Sequence, residues 1–354
     1  MRRRPQDRHS AILALLGERG RVGTSELADL LDISTPTARR DVEELEQQGR
    51  LVRRHGFIEA VGTSASRAEP VSRPVVALVV PRSDGYFVDF IAGAKEAARA
   101  RHLRLVIAIS GYSPSEETRI VAQLEGNAAG IVIIPTPVTT SALDNRSFLD
   151  GLASASIPLV VAEREPVLSS LASELPSVRS DHAIGVAAGI RRLVSLGYER
   201  VVLVVTTSPT SPALVQGFTG AASELGLGTG EYIEVSQPAD LADEMPRIRE
   251  LIAQEGTLAF IVHNDQTAVQ LLTSLQVRGI NAPVDYGIMA YEDSIGSMSD
   301  PALSAIAPPR RDVGFMAIDM LADRLEKRDS PDGNRHLSLV PRLVMRESTA
   351  AQGA

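Results

Sequence analysis

Cysteine and tryptophan are absent from this 354-residue sequence, and aromatic residues make up only 4% of it. Without cysteine the chain has no disulfide, thiolate metal site, iron–sulfur cluster or cysteine nucleophile, which is typical of a cytoplasmic protein. Long apolar runs are missing too, because residues 11–16 and 75–81 are far shorter than the roughly 20 residues of a transmembrane helix. The basic residues 2–4 are not followed by the apolar segment of a signal peptide. We therefore expect a cytoplasmic protein with no membrane partner.

Motifs for metals, cofactors and catalysis are also lacking. None of the six histidines lies at helical ligand spacing from another, so we predict no metal site. We find no Gly-x-Gly-x-x-Gly after the first strand of the large domain, no Walker lysine and no Gly-x-Ser-x-Gly elbow. The sequence thus predicts neither a cofactor nor an enzyme.

The net charge of −8 is distributed unevenly along the chain. Residues 1–62 carry eleven arginines and ten acidic residues, whereas the rest carries 25 basic and 34 acidic residues. Arginines cluster at 2–4, 39–40 and 53–54, so the first part retains local basic patches. Because phosphate contacts act over about a Debye length, these patches allow nucleic-acid binding despite the overall acidity.

The first sixty residues predict three short helices. Apolar residues at 12, 13, 15 and 16 form the first, which Gly17 and Gly20 end. Residues 27–31 form the second, capped by Thr24 or Ser25, and a third begins after Ser34 and ends near Gly49. The gap of about three residues between the last two is typical of a helix-turn-helix.

The third helix has the side chains of a DNA reader. In a helix-turn-helix its first turns face base edges and phosphates, where hydroxyls and guanidinium groups bind well. An alternative is that its two arginines pair with Glu43 and Glu44 on a solvated face. The predicted DNA contacts on this helix are Ser34, Thr35, Thr37, Arg39 and Arg40.

A basic hairpin follows directly. Residues 51–61 read as two short strands around Gly56, with Arg53, Arg54 and His55 near the tip. A helix-turn-helix followed by such a wing favours binding of double-stranded DNA over the solvated-face alternative.

Residues 24–56 resemble the winged-helix reader of the DeoR family. The Ser-x-x-Thr-x-Arg-Arg-Asp pattern from Ser34 and the Arg-x-His-Gly pattern from Arg53 both match. Phe57 stands where the family usually has a second glycine. The resemblance implies a winged helix-turn-helix domain over residues 1–62.

Residues 63–74 predict a tether between two domains, because they are rich in small residues and proline and have no apolar period. Beyond them, strand starts near 75, 104, 130 and 159 form one series and those near 200, 231, 258 and 287 form another. These intervals fit repeated strand–helix units with parallel sheets. We predict a two-lobed α/β domain over residues 75–349.

Polar and aromatic residues follow the predicted strands, where two open sheets would form a ligand cleft. Asp84 is one of them, and their mixture suits a small polar ligand such as a sugar. Alternatives to ligand binding remain open. Asp181 and Asp265 could serve solely as helix caps, and Glu163 and Arg164 could form an internal ion pair.

The same stretch resembles the effector domain of the LacI/GalR family, which shares its fold with periplasmic sugar-binding proteins. Matching segments include residues 130–134, 157–164, 178–181, 264–268 and 285–293. The resemblance implies a ligand site containing Tyr86, Phe87, Glu163, Arg164, Asn264 and Glu292, to which we add Asp84 and Asp181.

The chain departs from the LacI/GalR pattern at three places. Leu214 stands where sugar-binding members commonly carry arginine, Glu292 replaces the usual first aspartate, and prolines occupy 308–309. The hinge helix that usually joins this effector domain to its DNA head is also missing from residues 63–74.

These features predict a homodimeric transcriptional regulator that binds operator DNA, most simply a repressor, and responds to a sugar-like effector. The alternatives are an α/β enzyme or a solute-binding protein with the same two-lobed fold. The missing catalytic motifs disfavour the first, and the winged helix disfavours the second.

Overall fold

The computed structural model describes residues 5–19, 22–48, 50–54, 57–60, 73–138, 141–228, 230–236, 240–326 and 333–351. The chain divides into two compact units, Met1–Arg73 and Pro74–Ala354. Most of the predicted tether at 63–74 lies outside the described residues.

The first unit, the head, is a small winged helix. Its apolar side chains, among them Ile12, Leu27, Val42 and Ile58, pack into one core between the helices and the hairpin. Its elements are α1 (Pro5–Arg19), β1 (Val22–Gly23), α2 (Thr24–Leu30), α3 (Thr35–Gln47), β2 (Leu51–Arg54) and β3 (Phe57–Ala60).

Strand β1 is a feature that the sequence did not predict. It pairs antiparallel with β3, placing Val22 opposite Ile58, and β3 pairs with β2 to complete the wing. Because Gly23 still belongs to this strand, helix α2 starts at Thr24 with Gly23 as its N-cap, and the predicted cap at Thr24 or Ser25 is wrong. Two residues in a strand leave no periodic signal, which explains why the pattern missed it.

The second unit, the effector domain, alternates strands and helices as predicted. Up to residue 180 its elements are β4 (Val75–Val80), α4 (Phe87–Ala100), β5 (Arg104–Ile109), α5 (Pro114–Leu124), β6 (Gly130–Ile133), α6 (Ala142–Ala153), β7 (Leu159–Ala162) and β8 (Ser177–Ser180). Then follow α7 (His182–Ser195), β9 (Arg200–Thr206), α8 (Ser211–Glu224), β10 (Tyr232–Val235), α9 (Leu241–Ala253), β11 (Leu258–His263), α10 (Asp265–Gln276), β12 (Gly287–Tyr291), β13 (Ser304–Ala307), α11 (Arg310–Glu326), β14 (His336–Leu339) and β15 (Arg342–Val344).

These strands form two six-stranded sheets, one in each lobe. The first lobe has the order β14-β8-β7-β6-β4-β5, with every pairing parallel. The second has the order β10-β9-β11-β12-β13-β15, parallel except for β13 with β15. The predicted fold class, a winged-helix head with a two-lobed α/β domain, is confirmed.

The chain passes between the lobes three times, after β8, after β13 and between β14 and β15. The second passage sends α11 back to pack against α4 in the core of the first lobe. Glycine permits this close approach: a Cβ on Gly93 would lie 1.9 Å from the Arg311 carbonyl oxygen, and one on Gly314 would lie 2.0 Å from that of Phe90. The two helices therefore touch backbone to backbone.

No helix in the described parts of the chain is both long and apolar enough to cross a bilayer.

Candidate functional site

The exposed surface of α3 carries the predicted DNA contacts. Ser34 is the N-cap of α3, but its hydroxyl lies 2.7 Å from the Thr37 hydroxyl and caps no backbone amide. Arg39 and Arg40 are both exposed, and Arg40 has no hydrogen-bond or ion-pair partner within the part of the chain that the structure describes. Thr35 and Thr37 are half-buried. The first turns of α3 thus present hydroxyl and guanidinium groups on one helix end.

A buried ion pair fixes α3 in the head. Arg8 on α1 donates two hydrogen bonds, of 2.7 and 2.8 Å, to the carboxylate of Asp41, which is 2% exposed. The Nε2 atom of His9 lies 3.5 Å from both Asp41 and Glu44, which is the kind of group that binds metals. Arg8 engages both oxygens of Asp41, and this ion pair therefore holds α1 against α3.

The wing is described in part. Arg53 and Arg54 lie on β2, but their side chains, like all of His55, fall outside the described part of the chain. Phe57 begins β3 and is 46% exposed, so it presents an aromatic ring at the surface near the turn.

A cavity of about 280 Å³ lies between the two lobes of the effector domain. Its lining residues come from the carboxyl ends of strands in both sheets and from the start of α7, which is where ligands bind in open α/β sheets. They are Tyr86, Phe87, Tyr112, Glu163, Arg164, His182, Thr206, Thr207, Ser208, Pro209, Thr210, Ser236, His263, Asn264, Tyr291 and Glu292.

Glu163 is the buried carboxylate on the first-lobe side. It accepts hydrogen bonds from the Tyr86 hydroxyl at 2.9 Å, from the Ser180 amide at 2.9 Å and from the Ser180 hydroxyl at 3.1 Å. Burial raises its pKa, while these three hydrogen bonds favour the charged form. Since an ionised carboxylate accepts about four hydrogen bonds, Glu163 keeps one acceptor position for a ligand.

Arg164 supplies the guanidinium of the cavity and is half-buried. Its Nε donates to the Pro135 carbonyl and its Nη1 to the Glu163 carbonyl, each at 2.7 Å. Among the described residues of this domain no carboxylate pairs with it, so the proposed Glu163–Arg164 ion pair is not formed. Burial lowers its pKa, although Arg164 remains charged at neutral pH. Since a guanidinium has five N–H donors and these bonds use two of them, Arg164 has hydrogen-bonding capacity to spare.

His182 carries an unsatisfied atom into the cavity. Its Nδ1 lies 2.6 Å from the Tyr291 hydroxyl, whereas Nε2 is buried without a hydrogen-bond partner among the described residues. Nε2 lies 3.9 Å from the carboxylate of Glu163, which favours the tautomer with its proton on Nε2. Burial lowers the pKa of His182 to about 4, so the ring is neutral at physiological pH.

His263 is a second neutral imidazole, on the second-lobe side. Its Nδ1 lies 3.2 Å from the Thr206 carbonyl, which can only accept, so the proton sits on Nδ1. Nε2 therefore carries a lone pair, 3.5 Å from the Thr210 hydroxyl. Burial lowers the pKa of His263 to about 4 as well. The cavity thus offers an imidazole donor on one side and an acceptor on the other.

Asn264 and Asp265 have different structural roles at the start of α10. Asn264 lines the cavity and caps the helix, accepting from the Thr267 amide at 3.2 Å. Asp265 is not the cap: its buried carboxylate accepts from four successive amides, those of residues 293–296, at 2.6 to 3.1 Å. Asp265 therefore fastens the loop that follows β12.

That loop begins with Glu292, which also lines the cavity. Burial, together with the nearby charge of Asp265, raises the pKa of Glu292 to about 7. At neutral pH this carboxyl exists in both forms, so it can donate or accept a hydrogen bond.

Left-handed backbone conformations concentrate at the cavity. Tyr112, Glu163 and Glu292 have φ angles of 59°, 52° and 128°, and they are three of the six non-glycine residues with positive φ in the described ranges. Such conformations cost about 1 to 3 kcal/mol each and tend to persist at ligand sites. All three follow strands and line the cavity.

Two predicted ligand contacts lie elsewhere. Asp84 is exposed and forms a two-point ion pair with Arg82, and Asp181 caps α7 through the Ile184 amide at 3.0 Å. Neither is among the residues that line the cavity. The structure brings the other six together, along with residues not selected from the sequence, chiefly Tyr112, His182, His263 and Tyr291. For Tyr112, His263 and Tyr291 the signal was their position at or just after a strand end, whereas His182 begins α7.

The departures from the LacI/GalR pattern have structural consequences. Leu214 is fully buried in the core of the second lobe, so α8 contributes no guanidinium at that position. Pro308 and Pro309 lie where the chain passes from β13 to α11, outside the cavity lining. Arg164 is thus the cavity's guanidinium.

Comparison with known proteins agrees with both units. Residues 8–63 match the DeoR-like helix-turn-helix domain, and residues 190–349 match the periplasmic binding protein-like domain. The arabinose metabolism transcriptional repressor of Geobacillus stearothermophilus is 26% identical over 340 residues, which is 92% of this chain and 90% of the repressor. The ribose operon repressor of Haemophilus influenzae is 24% identical over 277 residues, 77% of this chain and 79% of that protein.

Solved structures share the fold of the effector domain. The transcription regulator CcpA of Lactococcus lactis superposes with a TM-score of 0.64 at 20% identity, covering 78% of this chain and 99% of that one. A LacI-type regulator from Alkaliphilus metalliredigens, complexed with D-xylulofuranose, gives a TM-score of 0.63 at 18% identity with the same coverage. This chain is a transcriptional regulator that combines a DeoR-type winged helix-turn-helix head with a LacI/GalR-type, periplasmic-binding-protein-like effector domain.

Proposed function

We propose that this regulator is a cytoplasmic repressor that binds operator DNA through α3 and the wing and is controlled by a neutral polyhydroxylated ligand, such as a sugar, in the interlobe cavity. Three cavity-lining groups with unused hydrogen-bonding capacity support the proposal: buried Glu163 accepts, half-buried Arg164 donates, and the buried Nε2 of His182 has no protein partner among the described residues.

A hydroxyl group can bridge Glu163 and His182 from the cavity side. With Glu163 Oε2 and His182 Nε2 3.9 Å apart, one hydroxyl oxygen beside the pair can donate to the carboxylate and accept from the imidazole. A carboxylate or phosphate at this position would face the charge of Glu163. The rings of Tyr86, Phe87 and Tyr112, with centroids 5.5 and 6.5 Å apart, can cover the apolar face of a sugar.

The ligand acts by selecting one arrangement of the lobes. Because its contacts come from both sheets, it binds more tightly when the lobes are closed, and only such a difference in affinity can shift a conformational equilibrium. Two heads reading two half-sites require two-fold symmetry, so the working unit is a homodimer. The ligand is bound without being converted.

A gel-shift assay on DNA from the protein's own promoter tests this proposal. We expect a specific complex that weakens steeply with added salt and dissociates when the correct pentose or hexose is added. Sedimentation should give a dimer, and the sugar should be recovered unchanged. A protein that ignores its own promoter at low salt would contradict the regulator assignment, and one that binds DNA but responds to no sugar would contradict the ligand class.

A further inference from the structure

A second cavity, of about 210 Å³, lies beside the first and differs from it in chemistry. In the first lobe its walls include Leu149 of α6 and the side chains of Val167, Ala172 and Leu175. The second lobe contributes Pro209 and the first turn of α8. We call this cavity the apolar chamber.

Apart from Arg164, which lines both cavities, the polar side chains around the apolar chamber already have partners. Glu165 pairs with Arg179, the Asn145 side-chain oxygen accepts from the Val138 amide at 2.9 Å, and the Ser177 hydroxyl bonds to His336 at 2.8 Å. A polar ligand group would find little to bind there. Pro209 and Pro212 have no N–H, so this end of α8 also offers few donors to a phosphate.

The apolar chamber shares two lining residues, Arg164 and Pro209, with the first cavity, which we call the sugar cavity after the proposed ligand. The two cavities are therefore adjacent, and a ligand that occupied both would pass beside the Arg164 guanidinium. The volume suits one aromatic ring, since apolar cavities of about 150 Å³ bind benzene.

We propose that the apolar chamber binds an apolar substituent of the effector, so that the natural ligand is a glycoside-like molecule with a polyhydroxylated part and one ring or short branched alkyl group. This inference rests on the proposed function for the polyhydroxylated part alone. Because both lobes form the chamber walls, the substituent also favours the closed arrangement.

Matched glycosides test the proposal on the full-length protein. The probes are the methyl and phenyl glycosides of D-ribose, L-arabinose, D-xylose and D-galactose, titrated by calorimetry. For at least one sugar we expect the phenyl glycoside to bind about tenfold more tightly or better, because its ring leaves water. Equal affinities across every pair that binds would overturn the proposal.

Filling the chamber provides the matched variant. Ala172→Phe should remove the phenyl advantage while leaving the methyl glycoside affinity unchanged, and the milder Ala172→Leu should reduce it. Ala100→Phe, at an exposed position on α4, is the control and should retain the full advantage. A phenyl advantage that survives Ala172→Phe in folded protein would place the ring elsewhere and refute the chamber assignment.

Phenol separates failure of the chamber from failure of the sugar site. In protein with methyl-labelled alanine, phenol should shift the NMR signals of Ala172 and Ala213, which line the chamber, but not that of Ala100. If no glycoside binds but phenol shifts these two signals, the chamber stands and the sugar proposal fails. If phenol leaves both unchanged, the chamber proposal is wrong whether or not sugars bind.

Discussion

The guanidinium of Arg8 and the carboxylate of Asp41 meet through two hydrogen bonds, of 2.7 and 2.8 Å, which join α1 to α3. Arg8→Met should leave the buried Asp41 carboxylate without its main partner and lower the free energy of unfolding of the head by about 2 kcal/mol. Hydrogen exchange of the α3 amides in the full-length chain measures this loss. Arg119→Met, which breaks an exposed pair with Glu116, should leave α3 exchange unchanged.

Helix α3 should contribute to operator affinity through its exposed arginines. Arg39→Ala or Arg40→Ala should weaken operator binding by about 1 to 3 kcal/mol without lowering the unfolding midpoint. Arg99→Ala is the control, since Arg99 is equally exposed but lies on α4 of the effector domain. Unchanged operator affinity in both head variants at moderate salt would remove α3 from the DNA interface.

Arg164 should couple the ligand to DNA release. Arg164→Ala should abolish the sugar response in the gel-shift assay while leaving unliganded operator binding intact, because the guanidinium lies in the cavity of the effector domain. Arg82→Ala, which breaks the exposed pair with Asp84, tests the other interpretation. We expect that variant to respond normally; loss of response there instead would support the predicted role of Asp84 in the ligand site.

Glu292 should make stability depend on pH. Its pKa rises from an ordinary 4.5 to about 7 in the folded protein, so the folded state binds more protons than the unfolded state between these values. The stability that this group contributes is complete below pH 4.5 and is lost as pH rises through 7, by about 3 kcal/mol in total.

Glu292→Gln isolates this effect. His182 and His263, with pKa values lowered to about 4, act in the opposite direction, since the unfolded state binds their protons between pH 4 and 6.5. Urea unfolding gives the stability of wild type and variant at pH 5 and pH 8. Because both proteins contain the two histidines, their contribution cancels in the difference between wild type and variant at each pH. The variant should gain stability relative to wild type at pH 8, and a constant difference between the two pH values would contradict the raised pKa.

Asp265 should matter more for stability than its neighbour. Asp265→Asn replaces a carboxylate that accepts from four amides, and the introduced NH2 group faces donors, so we expect a loss of about 2 to 4 kcal/mol. Asn264→Ala removes one helix cap and should lose about 1 kcal/mol. Urea unfolding of the two variants compares them directly, and the reverse order would show that the loop after β12 is not held by Asp265.

Apolar strands were predictable from the sequence, and polar or very short ones were not. The strands starting at Val75, Arg104, Gly130 and Leu159 begin at the predicted residues, because strands in a parallel sheet read as unbroken apolar runs. Strand β8, Ser177–Ser180, contains one apolar residue, and β14 and β15 lie at sheet edges, so periodicity gave no signal for them.

The residues that line the cavity were also predictable only in part. Glu163 and Asn264, which the LacI/GalR resemblance implies as ligand contacts, both line the cavity, and each directly follows a strand. His182 escaped selection because it begins a helix after Asp181, and only the fold shows that its ring turns toward Glu163. Conversely, Asp84 follows a strand but pairs with Arg82 at the surface, a choice made by local side-chain geometry.

The path of α11 determines how late in synthesis the first lobe can be completed. The core of the first lobe includes Val313, Ile318 and Leu321, and its sheet ends with β14, so this lobe lacks a helix and a strand until nearly the whole chain has left the ribosome. The head has all its described strands and helices within the first 60 residues. All the elements of the head therefore leave the ribosome well before the first lobe of the effector domain can be completed.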